Sequence, residues 1–254
     1  YGGSSISFRR SEDAGETWDD QGGIGPLFSG SPVALRGYTY DGVDRLVLAY
    51  RSSPFSSCRY AIAYSDDIGE TWTHVALYSG GGPAGGLMDM HIDRTTGVIF
   101  VSYCTDGGWM FAKSADGGET WTHAALGLAL SDSPYLGGRA PIVAQYPYVV
   151  AVSGYSHLEK GSLGQDVRFV SFQTCQSSDY GATWTGDIVL PLPNNWDGRQ
   201  GLNRGWARCI ALALEPDGWV RAYCNETHGY ISTGEEFGFV TYRFHINGGT
   251  GGLL

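Results

Sequence analysis

Apolar and polar residues alternate along this chain in short runs. Tyr60-Ala61-Ile62-Ala63-Tyr64 is one such run. Another is Met88, Met90 and Ile92 interleaved with Asp89, His91 and Asp93. A period of two over a few residues predicts strands whose two faces meet different surroundings. Turn sequences such as Asp41-Gly42-Val43-Asp44 and Glu215-Pro216-Asp217-Gly218 separate the runs. Together they predict inner hairpins over residues 32–50, 86–104, 140–153 and 206–224. A second, outer hairpin follows each inner one.

The outer hairpins share a corner. Ser-x-Asp-x-Gly-x-Thr-Trp occurs at residues 11–18, 65–72, 114–121 and 177–184. The fixed residues include Asp13, Gly15 and Trp18; Asp67, Gly69 and Trp72; Asp116, Gly118 and Trp121; and Asp179, Gly181 and Trp184. Each type suits a tight turn. The carboxylate accepts backbone N–H groups within the corner. Glycine tolerates a positive φ. Tryptophan restarts the strand with a large apolar surface. The Asp residues therefore read as structural, and the chain reads as a repeat protein. A degenerate fifth corner is expected at residues 245–250.

This eight-residue pattern resembles the Asp-box, or BNR repeat, shared by sialidases, sortilin-type receptors, some glycoside hydrolases and many binding proteins. The resemblance implies an all-β fold: a β-propeller of four-stranded antiparallel blades with Asp-box turns between the third and fourth strands. Counting runs gives two strands, then three sets of four, then three, and about five blades. The whole chain, 1–254, is expected to be one domain with an incomplete first blade at 1–28.

Composition fits that expectation. Gly is 39 of 254 residues and aromatics are 13%, which is turn-rich and strand-rich. The formal net charge of −10 argues against nucleic acid as a partner. No run of about 18 apolar residues is present, so no membrane insertion is expected. Five cysteines leave at least one unpaired. Cys209 and Cys224 flank one turn symmetrically. They form either a cross-strand disulfide or, the favoured reading, two buried thiols. Asn225-Glu226-Thr227 is a glycosylation sequon. No His or Cys pair has metal-ligand spacing, so neither metal nor cofactor is expected.

Topology then points to a site. In a four-stranded blade, the corners and the turns between strands one and two share one rim. The opposite rim receives the long segments 80–85, 127–137, 154–165, 191–205 and 225–237. Binding residues concentrate on such loops. Asp89, His91, Arg139 and Arg208 lie near the starts of first strands, close to the axis. Trp196, Arg199, Arg204 and Tyr230 lie in the loops. An aromatic ring beside amides and guanidinium groups suits sugar recognition. In sialidases the resemblance implies an arginine cluster and a Tyr–Glu nucleophile pair. Arg139, Arg208, Glu226 and Tyr230 are the counterparts available here. The Arg-Ile-Pro motif of that family is absent. The expected function is therefore non-catalytic recognition of a glycan or glycosylated surface, in an extracellular or virion-surface adhesin or fibre. A sialidase-like exo-glycosidase and an assembly module docking to other protein subunits are the alternatives.

Overall fold

The computed structural model describes residues 6–23, 30–52, 59–79, 88–105, 107–128, 140–160, 166–190, 206–215, 217–230 and 234–246. Among them are 17 strands and no helix. The first sheet pairs β1 (Ser7–Arg10) with β2 (Asp19–Gly23). The second runs β3 (Gly30–Tyr40), β4 (Val43–Ser52), β5 (Arg59–Ser65) and β6 (Thr73–Tyr78). The third runs β7 (Asp89–Ile92), β8 (Ile99–Thr105), β9 (Gly108–Ser114) and β10 (Thr122–Ala125). The fourth runs β11 (Ile142–Gln145), β12 (Tyr148–Lys160), β13 (Asp166–Ser177) and β14 (Thr185–Leu190). The fifth holds β15 (Trp206–Leu214), β16 (Trp219–Tyr230) and β17 (Gly234–His245). Every pairing is antiparallel between neighbours in sequence.

The sheets pack face to face in sequence order, with one apolar layer at each junction. Ile6, Leu48, Tyr50 and Ala63 fill the first. Val47, Ile62, Met88, Met90, Ile92 and Val101 fill the second. Phe100, Phe111, Ile142, Ala151 and Cys175 fill the third. Val150, Phe172, Val220, Ala222 and Tyr242 fill the fourth. Central strands are apolar on both faces because each looks into two layers; all of β8 is buried. The first strands β3, β7, β11 and β15 are successive spatial neighbours, so they form the innermost row. This is the order of propeller blades. No strand pairing among the described residues joins the first sheet to the fifth. The first sheet has no inner hairpin, and Leu35 on β3 is left 43% exposed.

Two expectations need correction. Residues 154–165 and 225–237 were expected as long irregular loops. Instead β12 pairs with β13 out to Lys160↔Asp166, and β16 with β17 out to Tyr230↔Gly234. Both are extended two-stranded arms with short connections. Glu226, His228 and Tyr230 thus lie on a strand. Segments such as Tyr155-Ser156-His157-Leu158-Glu159-Lys160 carry no alternation of apolar with polar residues. Main-chain pairing, which leaves no side-chain pattern, holds them. Cys209 does stand directly opposite Cys224, and Cys224 is a buried free thiol rather than half of a disulfide.

The corners are built alike. In each, the Ser hydroxyl donates to the Asp carboxylate at 2.8 Å. The Gly N–H donates to that Ser oxygen at 2.7 or 2.8 Å. The Thr N–H and Thr hydroxyl both donate back to the carboxylate. In the first three corners the Trp indole N–H closes on the Gly carbonyl at 3.0 or 3.1 Å. In the fourth, the buried Trp184 indole nitrogen has no partner among the described residues. Two successive residues are left-handed. Gly15, Gly69, Gly118 and Gly181 have φ of 96°, 91°, 101° and 86°. The residue before each is Ala14, Ile68, Gly117 or Tyr180, with φ of 57°, 57°, 73° and 60°. Three of these are not glycine, which costs about 1 kcal/mol each.

Bonds from the Thr side chain first, then from its N–H and the Ser hydroxyl, hold Asp13, Asp67 and Asp179 at a pKa of about 2. Burial pushes Asp116 up, but its Thr120 and Ser114 bonds outweigh that and the net shift is also down. A carboxylate depressed by folding adds stability above its unfolded pKa and loses it as pH falls toward the folded one. The thermal midpoint should therefore hold down to about pH 4 and fall between about pH 4 and pH 2. A midpoint that stays flat across that window would show that the corner bonds are not formed in solution.

Candidate functional site

At two junctions of the rim that carries the corners, side chains reach from one sheet into the next. Arg45, on β4, is 7% exposed. Its Nε and Nη2 donate to the Asp66 carboxylate at 2.6 and 2.7 Å, and its Nη1 donates to the Gly117 carbonyl of the next corner at 2.9 Å. The guanidinium lies over the Tyr40 and Tyr64 rings. One sheet on, Lys113 donates to the Tyr180 carbonyl at 2.9 Å. Tyr180 N–H donates to the Pro147 carbonyl at 2.7 Å, and its hydroxyl donates to Asp93 at 2.7 Å and meets Thr96. The fourth corner is thus bonded to the Tyr146-Pro147 turn of its own sheet and to the turn after β7. At the chain's far end, the His245 imidazole meets the Asp217 carbonyl at 2.9 Å. Corners and short turns therefore occupy one rim. The segments 53–58, 80–87, 129–139, 161–165, 191–205 and 231–233 are entered and left at the opposite rim.

The inner row shows where Asp89 and His91 sit. As the alternation implies, Met88, Met90 and Ile92 enter the second apolar layer. Asp89, His91 and Asp93 face β11 instead. Asp89 accepts the Ile142 N–H at 3.2 Å and Asp93 accepts the Tyr146 N–H at 3.1 Å. His91, between them, faces the Ala144 backbone. The free edge of β11 is covered by three side chains spaced two residues apart, matching the two-residue repeat of a strand edge. Burial lowers the His91 pKa; the Ala144 backbone and Asp93 oppose this, while Arg36 and Arg94 add to it. Burial also pushes Asp93 up, but bonds from Tyr180, Thr95, Tyr146 and Thr96 bring it below the usual carboxylate value. Asp93 and Tyr180 carry this interface and Arg45 the one before it, and no single position in the sequence marked them as a set.

The remaining candidates are placed only by main-chain pairing or not at all. Arg208 stands opposite Asn225, and Glu226 opposite Ala207. Tyr230 stands opposite Gly234 at the tip of an arm. Arg139, Trp196, Arg199 and Arg204 lie outside the described residues, as does most of the expected fifth corner. Among the described residues no His, Cys, Asp and Glu side chains cluster as metal ligands.

No family model and no curated protein sequence matches the chain. Solved structures share its chain path at low identity. An α-L-arabinanase from Cellvibrio cellulosa is 13% identical with a TM-score of 0.45, over 98% of this chain and 88% of that one. An intramolecular trans-sialidase from Ruminococcus gnavus is 19% identical with a TM-score of 0.47, over 96% and 51%. The NanB sialidase of Streptococcus pneumoniae is 18% identical with a TM-score of 0.49, over 87% and 32%. This chain spans about half of the second and a third of the third. Likeness at this level describes the path of a chain and not its chemistry.

Proposed function

We propose that this protein is a non-catalytic Asp-box propeller that recognises a glycan through the rim opposite its corners. One observation carries this reading. Two junctions of the corner rim are tied by their own bonds at Arg45, Lys113 and Tyr180, and the longer connections of the other rim are what the scaffold offers a partner. Those connections contain Arg139, Trp196, Arg199 and Arg204, and the β16–β17 arm ends at Tyr230. An indole covers the C–H face of a sugar while guanidinium groups take its hydroxyls or carboxylate. Asp89 and His91 belong to this reading as supports. They fix the inner strands from which the connections spring. Display on an extracellular or virion surface suits such a module.

Trp196→Ala should abolish binding to a printed glycan array while leaving the thermal midpoint unchanged. Hydrolysis of a fluorogenic sialoside that is lost on Arg208→Ala would establish an exo-glycosidase instead. Silence on the array and in turnover, with a stable protein complex in solution, would establish the assembly reading.

A further inference from the structure

The second, third and fourth corners are each filled from the sheet before them, by an aromatic ring and a cation. At the second, Phe8 of β1 lies so close to Gly69 that a Cβ there would collide with its ring, and it meets Trp72 edge-on at 5.6 Å. Arg10 approaches Glu70 of the same corner at 3.9 Å. At the third, Tyr64 packs beside Gly118 and Arg45 donates to the Gly117 carbonyl. At the fourth, Phe111 lies over Gly181 and meets Trp184 at 4.7 Å, while Lys113 donates to the Tyr180 carbonyl. Gly117 and Tyr180 are the left-handed residues before their corner glycines.

The first corner has the same build without the filling. Gly15 is left-handed, and the Trp18 indole N–H is held on the Gly15 carbonyl at 3.1 Å. No sheet precedes it among the described residues. Trp18 is 60% exposed and Gly15 is exposed with it. By contrast Gly69 and Gly118 are buried, and Trp72, Trp121 and Trp184 are partly buried. Residues 11–20 carry Glu12, Asp13, Glu16, Asp19 and Asp20 and neither Lys nor Arg.

The matching half stands at the other end of the row. Val220, Ala222, Tyr242 and Phe244 of the fifth sheet enter the fourth apolar layer, so Arg221, Tyr223 and Arg243 between them lie on the opposite face. Tyr223 is 42% exposed and the Arg221 side chain 44%. Arg221 stands three residues after the left-handed turn glycine Gly218, as Arg45 stands three after Gly42. Like Arg45, it sets its Nε on a carboxylate, here Glu215 at 2.5 Å. A ring beside a cation is again presented forward.

We infer that the fifth sheet of one copy docks on the first corner of a second copy, Tyr223 against Gly15 and Trp18 and Arg221 toward the Ala14 carbonyl and the acids around it. The exposure of Trp18, Tyr223 and Arg221 in the single chain shows that its own fifth sheet is not seated on that corner. A second copy supplies the missing half of a junction that the chain already builds three times. The two surfaces differ, so the contact is head-to-tail and each copy keeps one half of each kind. The inference does not rest on the glycan reading of the opposite rim.

Sedimentation of the full chain between about 1 μM and about 1 mM tests this. The parent should associate reversibly as its concentration rises. Trp18→Ala spoils only the corner half and Arg221→Ala only the sheet half. Each alone should weaken association at least about tenfold while the thermal midpoint stays near that of the parent, since both side chains are exposed. Mixed, the two folded variants retain one sound interface per pair and should form dimers and nothing larger. A parent that stays monomeric up to about 1 mM would overturn the proposal. So would association that either substitution leaves untouched, or a mixture of the two folded variants that does not dimerise.

Discussion

Replacing Asp93 by Ala should cost this protein about 3–5 kcal/mol of folding stability. The carboxylate is 4% exposed. It accepts the Thr95 N–H at 2.9 Å, the Tyr146 N–H at 3.1 Å and the Tyr180 hydroxyl at 2.7 Å. Its removal leaves three donors facing a void, each costing about 1–3 kcal/mol if water does not reach it. The Tyr180 hydroxyl keeps its contact with Thr96, which moderates the loss. Those donors belong to two sheets and a corner, so the variant loosens the third junction as a whole. Asp93→Asn keeps one acceptor oxygen and most of the volume, and should cost well under half as much. Urea denaturation at neutral pH decides the matter. Matching slopes with a displaced midpoint would assign the loss to the native state, and equal midpoints for Asp93→Ala and the parent would refute the role.

Arg45→Met should cost about 2–3 kcal/mol. Methionine keeps much of the buried stem between Tyr40 and Tyr64, so the change isolates the polar contribution. It removes both bonds to Asp66 and the bond to the Gly117 carbonyl across the junction. Breaking a fully buried pair costs about 3–5 kcal/mol. Asp66 is 43% exposed and regains water, which places this case lower. Hydrogen exchange supplies the sharper readout. Amides around Gly117 should lose protection, while those of the fifth sheet should not change. Uniform loss across all sheets would argue that Arg45 stabilises the molecule without coupling these two sheets.

Much of the architecture could be read from the chain. The corners announced themselves because five residues per copy do local work, and local work leaves a sequence signature. The strand tally of the sheets followed from where those corners fall. The arms at β12–β13 and β16–β17 were illegible because paired backbones need no buried face. The left-handed residue before each corner glycine was hidden because Ala14, Ile68, Gly117 and Tyr180 share no chemistry. Arg45 and Gly117 lie 72 positions apart, so nothing local joins them. Asp89, His91 and Asp93 were legible as a polar row, but only the fold reveals that the row meets the edge of β11.

The forward reach of Arg10, Arg45 and Lys113 has a mechanical consequence. Each fastening ties a sheet to its immediate successor and to nothing farther along. Strength is therefore distributed as in a row of buttoned panels, where opening one fastening burdens only its two neighbours. Damage should spread panel by panel rather than through the whole row at once.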